Sequence, residues 1–125
     1  MSDSQIKGPS RGRLFKLFTD FGPYFRVLKS DEETFFFDCL EICVDAEEEP
    51  EQRTFIGWWM VVTRTGNELT YQRFNGLYDL ESNWVDTSIN KKQMKQLDES
   101  FDVFIEKLTE MIDVETGLSL TPTVS

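Results

Sequence analysis

Nine consecutive residues, Thr54-Phe55-Ile56-Gly57-Trp58-Trp59-Met60-Val61-Val62, form the most apolar segment of this chain. A run this short, rich in aromatic and β-branched side chains, suits a central strand at least partly covered on both faces. Such a strand needs neighbours. Thr65-Gly66-Asn67 follows as a tight connection, and residues 69–74 read as its antiparallel partner in a hairpin. Upstream, residues 35–44 form a second aromatic and aliphatic strand. Phe36, Leu40, Ile42 and Val44 share one parity there and are expected on the core face, which Asp38 interrupts.

The elements around these strands follow from capping and periodicity. Residues 1–9 are polar and contain Gly8-Pro9, the composition of a loose tail. Ser10 can cap a short helix in which Leu14, Phe15, Leu17, Phe18 and Phe21 make one apolar stripe. Gly22-Pro23 ends it, since Gly permits a left-handed cap and Pro cannot continue the hydrogen-bond ladder. Residues 24–28 then read as a first strand and 30–33 as a polar turn. Asn75-Gly76 and Glu81-Ser82-Asn83 mark turns around a short segment at 77–80, with Trp84 just beyond. Met94, Leu97, Phe101, Phe104, Leu108 and Met111 recur at spacings of three and four, widened by Ile105 and Ile112, opposite a wet face of Lys95, Asp98, Asp102, Glu106, Glu110 and Asp113. Asn90 with Gln93, and Gly117, supply the two ends of this long helix. The stripe would also serve a coiled coil; packing across one sheet face is the reading adopted.

The sum is an α+β domain: an antiparallel sheet of four to five strands, with a short N-terminal helix and a long C-terminal helix packed on it. Residues 11–117 form the domain, flanked by a flexible tail at 1–10 and a C-terminal tail at 118–125. At 125 residues the chain can bury about two thirds of its unfolded surface in one core. Its 39% hydrophobic content, about 45% with glycine counted, excludes wholesale disorder. No apolar run approaches the ~18 residues of a membrane span, so no membrane partner and a cytoplasmic location are expected.

Charge narrows the function. The net charge is −10, yet residues 1–30 carry six basic and two acidic side chains, and residues 31–51 carry ten acids and no base. Lys107 stands alone against seven acids in 96–125. An acidic chain without a dense basic cluster repels phosphate backbones, which argues against direct nucleic-acid binding. The run Glu47-Glu48-Glu49-Pro50-Glu51 reads as a solvated, extended loop, or as a surface for a basic partner.

Catalysis has little to work with. Histidine is absent, which removes the commonest general base and the commonest metal ligand. Cys39 and Cys43 are the only cysteines. Four apart on a strand, they would lie roughly 13 Å apart, beyond disulfide reach, and two thiols fall short of a zinc site. No phosphate loop or nucleophile elbow occurs. No catalytic residue, metal site or cofactor is expected, and the residues alone describe a small acidic binding domain.

Arg13-Leu14, Phe18-Thr19 and Gly22-Pro23-Tyr24 with Arg26 resemble the start of the Crl family of bacterial transcription factors. The match strengthens at Phe35-Phe36-Phe37-Asp38-Cys39-Leu40, Cys43-Val44, Arg53, Phe55 and Gly57-Trp58-Trp59-Met60. It continues through Thr70-Tyr71, Phe74, Gly76-Leu77 and Trp84. The resemblance spans roughly residues 11–115. It implies a non-enzymatic activator that binds the second domain of the stationary-phase sigma factor, sigma-S; a monomer is expected, though no residue pattern fixes the oligomeric state. It also implies contact with the β′ subunit of core RNA polymerase and no reading of DNA. By motif position the sigma-contacting residues would be Pro23, Tyr24, Arg53, Phe55, Trp58 and Trp84. Tyr, Trp and Arg are also the types that dominate binding hot spots. The alternatives are an aromatic-lined module for a small apolar ligand or another protein, and a sheet that stacks single-stranded nucleic acid.

One conflict remains between strand geometry and this assignment. Phe55 and Trp58 are three apart, so a regular strand points them to opposite faces. If both meet one partner, a bulge at Gly57 is expected, with Trp59 turned inward beside Val61 and Trp58 partly exposed. A loop-like entry at Phe55, or a regular strand with one of the two in the core, would resolve it otherwise. Arg53 is expected to be substantially exposed.

Overall fold

A computed structural model describes residues 8–45 and 47–123. Its elements run α1 (Arg11–Phe21), a 3-10 turn at Val27–Lys29, β1 (Thr34–Cys43), a 3-10 turn at Pro50–Gln52, β2 (Phe55–Thr65), β3 (Glu68–Tyr78), β4 (Trp84–Val85), α2 (Lys91–Thr116) and β5 (Leu120–Pro122). The sheet order is β1-β2-β3-β4, all antiparallel, while β5 pairs with β3 in parallel. The architecture is the expected α+β fold, with one parallel pair added.

Helix ends form where local chemistry demands. Ser10 Oγ accepts the Arg13 amide at 3.1 Å, relieving one of the unpaired first-turn donors. At α2, Asn90 and Gln93 form a reciprocal capping box. Gly117 adopts the left-handed conformation (φ 76°) and donates its amide to Asp113. Gly22, in contrast, is extended, so α1 stops because Pro23 has no amide to donate.

Both helices lie on one face of the sheet. Leu14 and Phe18 from α1, and Leu97, Phe101, Phe104, Leu108 and Ile112 from α2, join Phe35, Phe37, Cys39, Ile56, Trp58, Met60, Val62 and Leu69 in a single core. Phe18 packs edge-on to Phe35 and Phe37, and Trp58 lies 5.0 Å from the Phe104 ring.

Several expectations change here. The core face of β1 is Phe35, Phe37 and Cys39, not the set with Phe36 and Leu40, because the register sets these three opposite Val62, Met60 and Trp58. Both parities of this strand are apolar, so alternation alone did not choose between them. Glu41 is the extra residue of a β-bulge, which restores Ile42 to the core side opposite Ile56 and leaves Val44 exposed. No bulge occurs at Gly57: β2 pairs with β3 without interruption from Phe55 to Thr65. Trp58 is therefore fully buried, and Trp59, expected inward, lies half-buried on the opposite face.

The first strand expected at 24–28 shrinks to a bridge between Phe25 and Phe37, flanked by two backbone hydrogen bonds to β1. The Ser30 hydroxyl then accepts from the Phe36 amide and donates to the Arg26 carbonyl, holding Val27–Lys29 in a turn. Leu118 and Leu120, assigned to a tail by the sequence reading, are buried, and β5 joins the sheet. The N-terminal tail expectation lies outside the described residues for 1–7. Pro9, however, is buried, and its carbonyl accepts from Arg64 Nη1 at 2.6 Å.

Candidate partner-binding surface

The sheet face opposite the helices presents Phe36, Asp38 and Leu40 from β1, Phe55, Gly57, Trp59 and Val61 from β2, and Phe74, Gly76 and Tyr78 from β3. Among the described residues no helix covers it. Gly57 and Gly76 pair directly across β2 and β3 and leave a trough. A Cβ on Gly76 would come within 3.0 Å of the Trp59 ring, and one on Gly57 within 3.0 Å of the Trp84 ring. The two indoles thus lie flat in space that only glycine leaves. Trp59 stacks on Trp84 at 4.8 Å and on Phe74 at 5.2 Å, while Tyr78 meets Trp84 edge-on at 5.3 Å. Four rings form one platform.

Asp38 lies beneath its edge and is 2% exposed, the only buried charged side chain among the described residues. A carboxylate out of water requires partners, and both oxygens have them. Arg26 Nε donates to Oδ1 at 2.5 Å, and Trp84 Nε1 donates to Oδ2 at 3.1 Å. Nearby, the Lys29 ammonium lies 5.1 Å from the Phe36 ring centroid and 5.3 Å from that of Tyr78. An aromatic floor with cationic heads at its margin, on an otherwise acidic chain, is the composition of a protein-binding hot spot.

The six residues singled out by motif are divided by the fold. Phe55 and Trp84 belong to the open face, joined through Tyr78, which is opposite both. Arg53 sits at the entry to β2, half-buried rather than substantially exposed, with Nε donating to the Glu48 carbonyl at 2.9 Å. It makes no ion pair among the described residues. Its acidic neighbours are exposed, but the segment is folded: Pro50–Gln52 makes a 3-10 turn, and Asp45 Oδ1 accepts the Thr54 amide. Pro23 and Tyr24 lie on the helix side, in a cleft of about 270 Å³ shared with Phe21, Val103, Phe104 and Lys107. Burial raises the Tyr24 hydroxyl pKa, with Cys39 and Glu41 adding to the effect. Trp58 is inside the core, against Tyr24, Phe101 and Phe104. It offers no surface to a partner.

Residues that sequence reasoning missed are Arg26, Lys29, Asp38, Trp59, Phe74 and Tyr78. One signal was present: an acid inside an otherwise apolar strand must either face water or find donors, and Asp38 found two. The cysteines are both free. Burial pushes the Cys39 thiol up to about 11, against the lowering effect of a hydrogen bond with Ser100, which keeps it protonated and unreactive at neutral pH. No group of three or more potential metal ligands occurs among the described residues, and no described helix is long and apolar enough to cross a membrane.

The profile of the family described as "Sigma factor-binding transcriptional regulator Crl" matches residues 1–125. The chain belongs to the Crl family. Relatives named "Sigma factor-binding protein Crl" include one from Photobacterium profundum, 38% identical over 112 residues that cover 90% of this chain and 84% of the relative. Another, from Vibrio vulnificus, is 35% identical over 90% of this chain and 87% of its own. One from Vibrio cholerae is 31% identical over 92% and 89%. Membership in Crl makes this chain one of a family of transcriptional regulators and bears out the resemblance carried by its FFFDCL and GWWM segments.

Proposed function

We propose that this Crl protein binds the sigma factor sigma-S through the second domain of that factor and favours its joining to core RNA polymerase, with a further contact to β′. It acts in the cytoplasm as a monomer, without catalysis and without reading DNA. The observation that carries this reading is the uncovered platform of Trp59, Phe74, Tyr78 and Trp84, with Arg26 and Lys29 at its margin. Phe55 and Arg53 extend it at one end, and Pro23 and Tyr24 add a second point of contact around the edge of β1. A small apolar ligand has less support, because the indoles themselves fill the trough between the glycines. Stacking of nucleic acid is opposed by the net charge of −10.

The test is a titration of the purified protein with sigma-S and, in parallel, with the housekeeping sigma factor. Saturable binding to sigma-S alone is expected, with no mobility shift of duplex or single-stranded DNA at moderate salt. Equal binding to both factors, or to neither, rejects the reading.

A further inference from the structure

Trp84 is poorly held by the sheet. β4 is two residues long and pairs only with Leu77 and Tyr78, and Val85 and residues 86–88 beyond the strand are exposed. Stacking on Trp59 and the edge-on contact with Tyr78 are apolar and set the plane of the indole, not the partner of its N–H. What fixes the direction of its N–H is Asp38 Oδ2. The second oxygen of the same carboxylate holds Arg26. The Asp38 amide, in turn, donates to the Tyr24 carbonyl at 3.0 Å. An apolar side chain would satisfy the local packing between strands; it could not accept from two donors, one at the start of the Val27–Lys29 turn and one on β4.

We propose that Asp38 is the positioning residue of the partner surface: its carboxylate presents the Trp84 indole and the Arg26 guanidinium as one preformed unit. The partner's identity rests on the sigma-factor reading; the positioning does not. Preorganisation removes the ordering cost that a loose indole would incur on binding. The chemistry is specific to a carboxylate. Asparagine has nearly the same shape but only one acceptor oxygen, so its NH₂ must face either the indole N–H or the guanidinium. The charged guanidinium takes the one remaining carbonyl oxygen, so the indole N–H is the group that loses its acceptor. The backbone bond to Tyr24 survives the change.

Asp38→Asn, Trp84→Phe and the double variant, each as the full chain, test this in two ways. Without partner, tryptophan emission and near-ultraviolet circular dichroism report the Trp59–Trp84 stack. With sigma-S, calorimetric titration well below each variant's melting temperature reports affinity. Asp38→Asn should shift emission to the red, diminish the stacking signal and weaken binding about tenfold. Trp84→Phe keeps a ring but loses the N–H and should weaken binding similarly. The double variant should bind no worse than the weaker single variant, because the two changes break one bond. Unaltered spectra, unaltered affinity in folded Asp38→Asn, or additive losses would each overturn the proposal. Should Asp38→Asn fail to fold, wild-type affinity in Trp84→Phe overturns it and a loss supports it. If the wild-type protein does not bind sigma-S, the sigma reading fails while the spectra still decide the positioning.

Discussion

Gly57 and Gly76 stand opposite each other on neighbouring strands, and the indoles of Trp59 and Trp84 occupy the space their missing side chains leave. The fit extends to the backbone, since a Cβ on Gly57 would also collide with the Cys39 carbonyl oxygen and one on Gly76 with the Val85 carbonyl oxygen. The two glycines thus shape the open face, while Gly57 permits β1 to approach β2 beside its bulge and Gly76 permits β4 to approach β3.

Gly57→Ala is therefore expected to destabilise the fold by about 3 kcal/mol, at the upper end of overpacking costs, because backbone rather than a flexible side chain must move. Urea denaturation measures it. Gly12→Ala is the control: nothing but the Ser10 hydroxyl approaches its Cβ position, at 3.9 Å, and α1 should gain about 0.5 kcal/mol. Equal effects of Gly57→Ala and Gly12→Ala would refute the steric account.

Trp58 and Trp84 should separate stability from binding. Trp58 is wholly enclosed between β1, β2 and α2, and Trp58→Ala is expected to cost about 3–5 kcal/mol. Trp84→Ala should cost about 1–2 kcal/mol, since it removes one indole stack and one hydrogen bond at a half-exposed site. Its larger effect should be on affinity for sigma-S. Denaturation curves and titrations of both variants check the separation; a folded Trp58 variant with a specific binding defect would contradict it.

Arg53→Ala should leave the denaturation midpoint nearly unchanged, because its one side-chain bond is to the exposed Glu48 carbonyl. Sigma-S affinity should fall by about 2–3 kcal/mol if the guanidinium meets a carboxylate that becomes desolvated. A calorimetric titration decides it, and an affinity like wild type removes Arg53 from the interface.

Stability should decline in alkali, and Cys39 sets part of the window. Its thiol, ordinarily ionising near 9.0, is raised to about 11, chiefly by burial. The native state therefore keeps a proton that the unfolded chain releases, so this contribution is complete below pH 9 and lost as pH rises toward 11. Tyr24 and Tyr71, raised by burial as well, act in the same direction. Urea midpoints between pH 8 and 11 should fall less steeply in Cys39→Ala than in wild type; identical slopes would show that the thiol takes no part.

How far the surface could be read from residues alone differs between its members. Phe55 and Trp84 were named by motif and lie on the open face, whereas Trp58, named on the same grounds, is core. The GWWM segment contains two adjacent tryptophans, and on a strand one must face each way. Choosing between them required knowing that Cys39 lies opposite Trp58 and Asp38 opposite Trp59. That register is a pairing between residues some twenty positions apart, and no local rule states it.

The sequence by itself determined what short-range chemistry controls. Ser10 and Asn90 start helices because their side chains reach amides three residues away, Gly117 ends one because it accepts a left-handed backbone, and the stripe from Leu97 to Ile112 faces a core wherever that core lies. Tertiary structure decided which face of the sheet the helices would cover. It also decided that β1 would bulge at Glu41 rather than β2 at Gly57, and that Leu118 and Leu120 would carry the chain back beside β3. With apolar residues on both parities of β1 and β2, either face could have been buried. Only packing two helices against one of them left the other open, with Asp38 enclosed beneath Trp84 and Arg26.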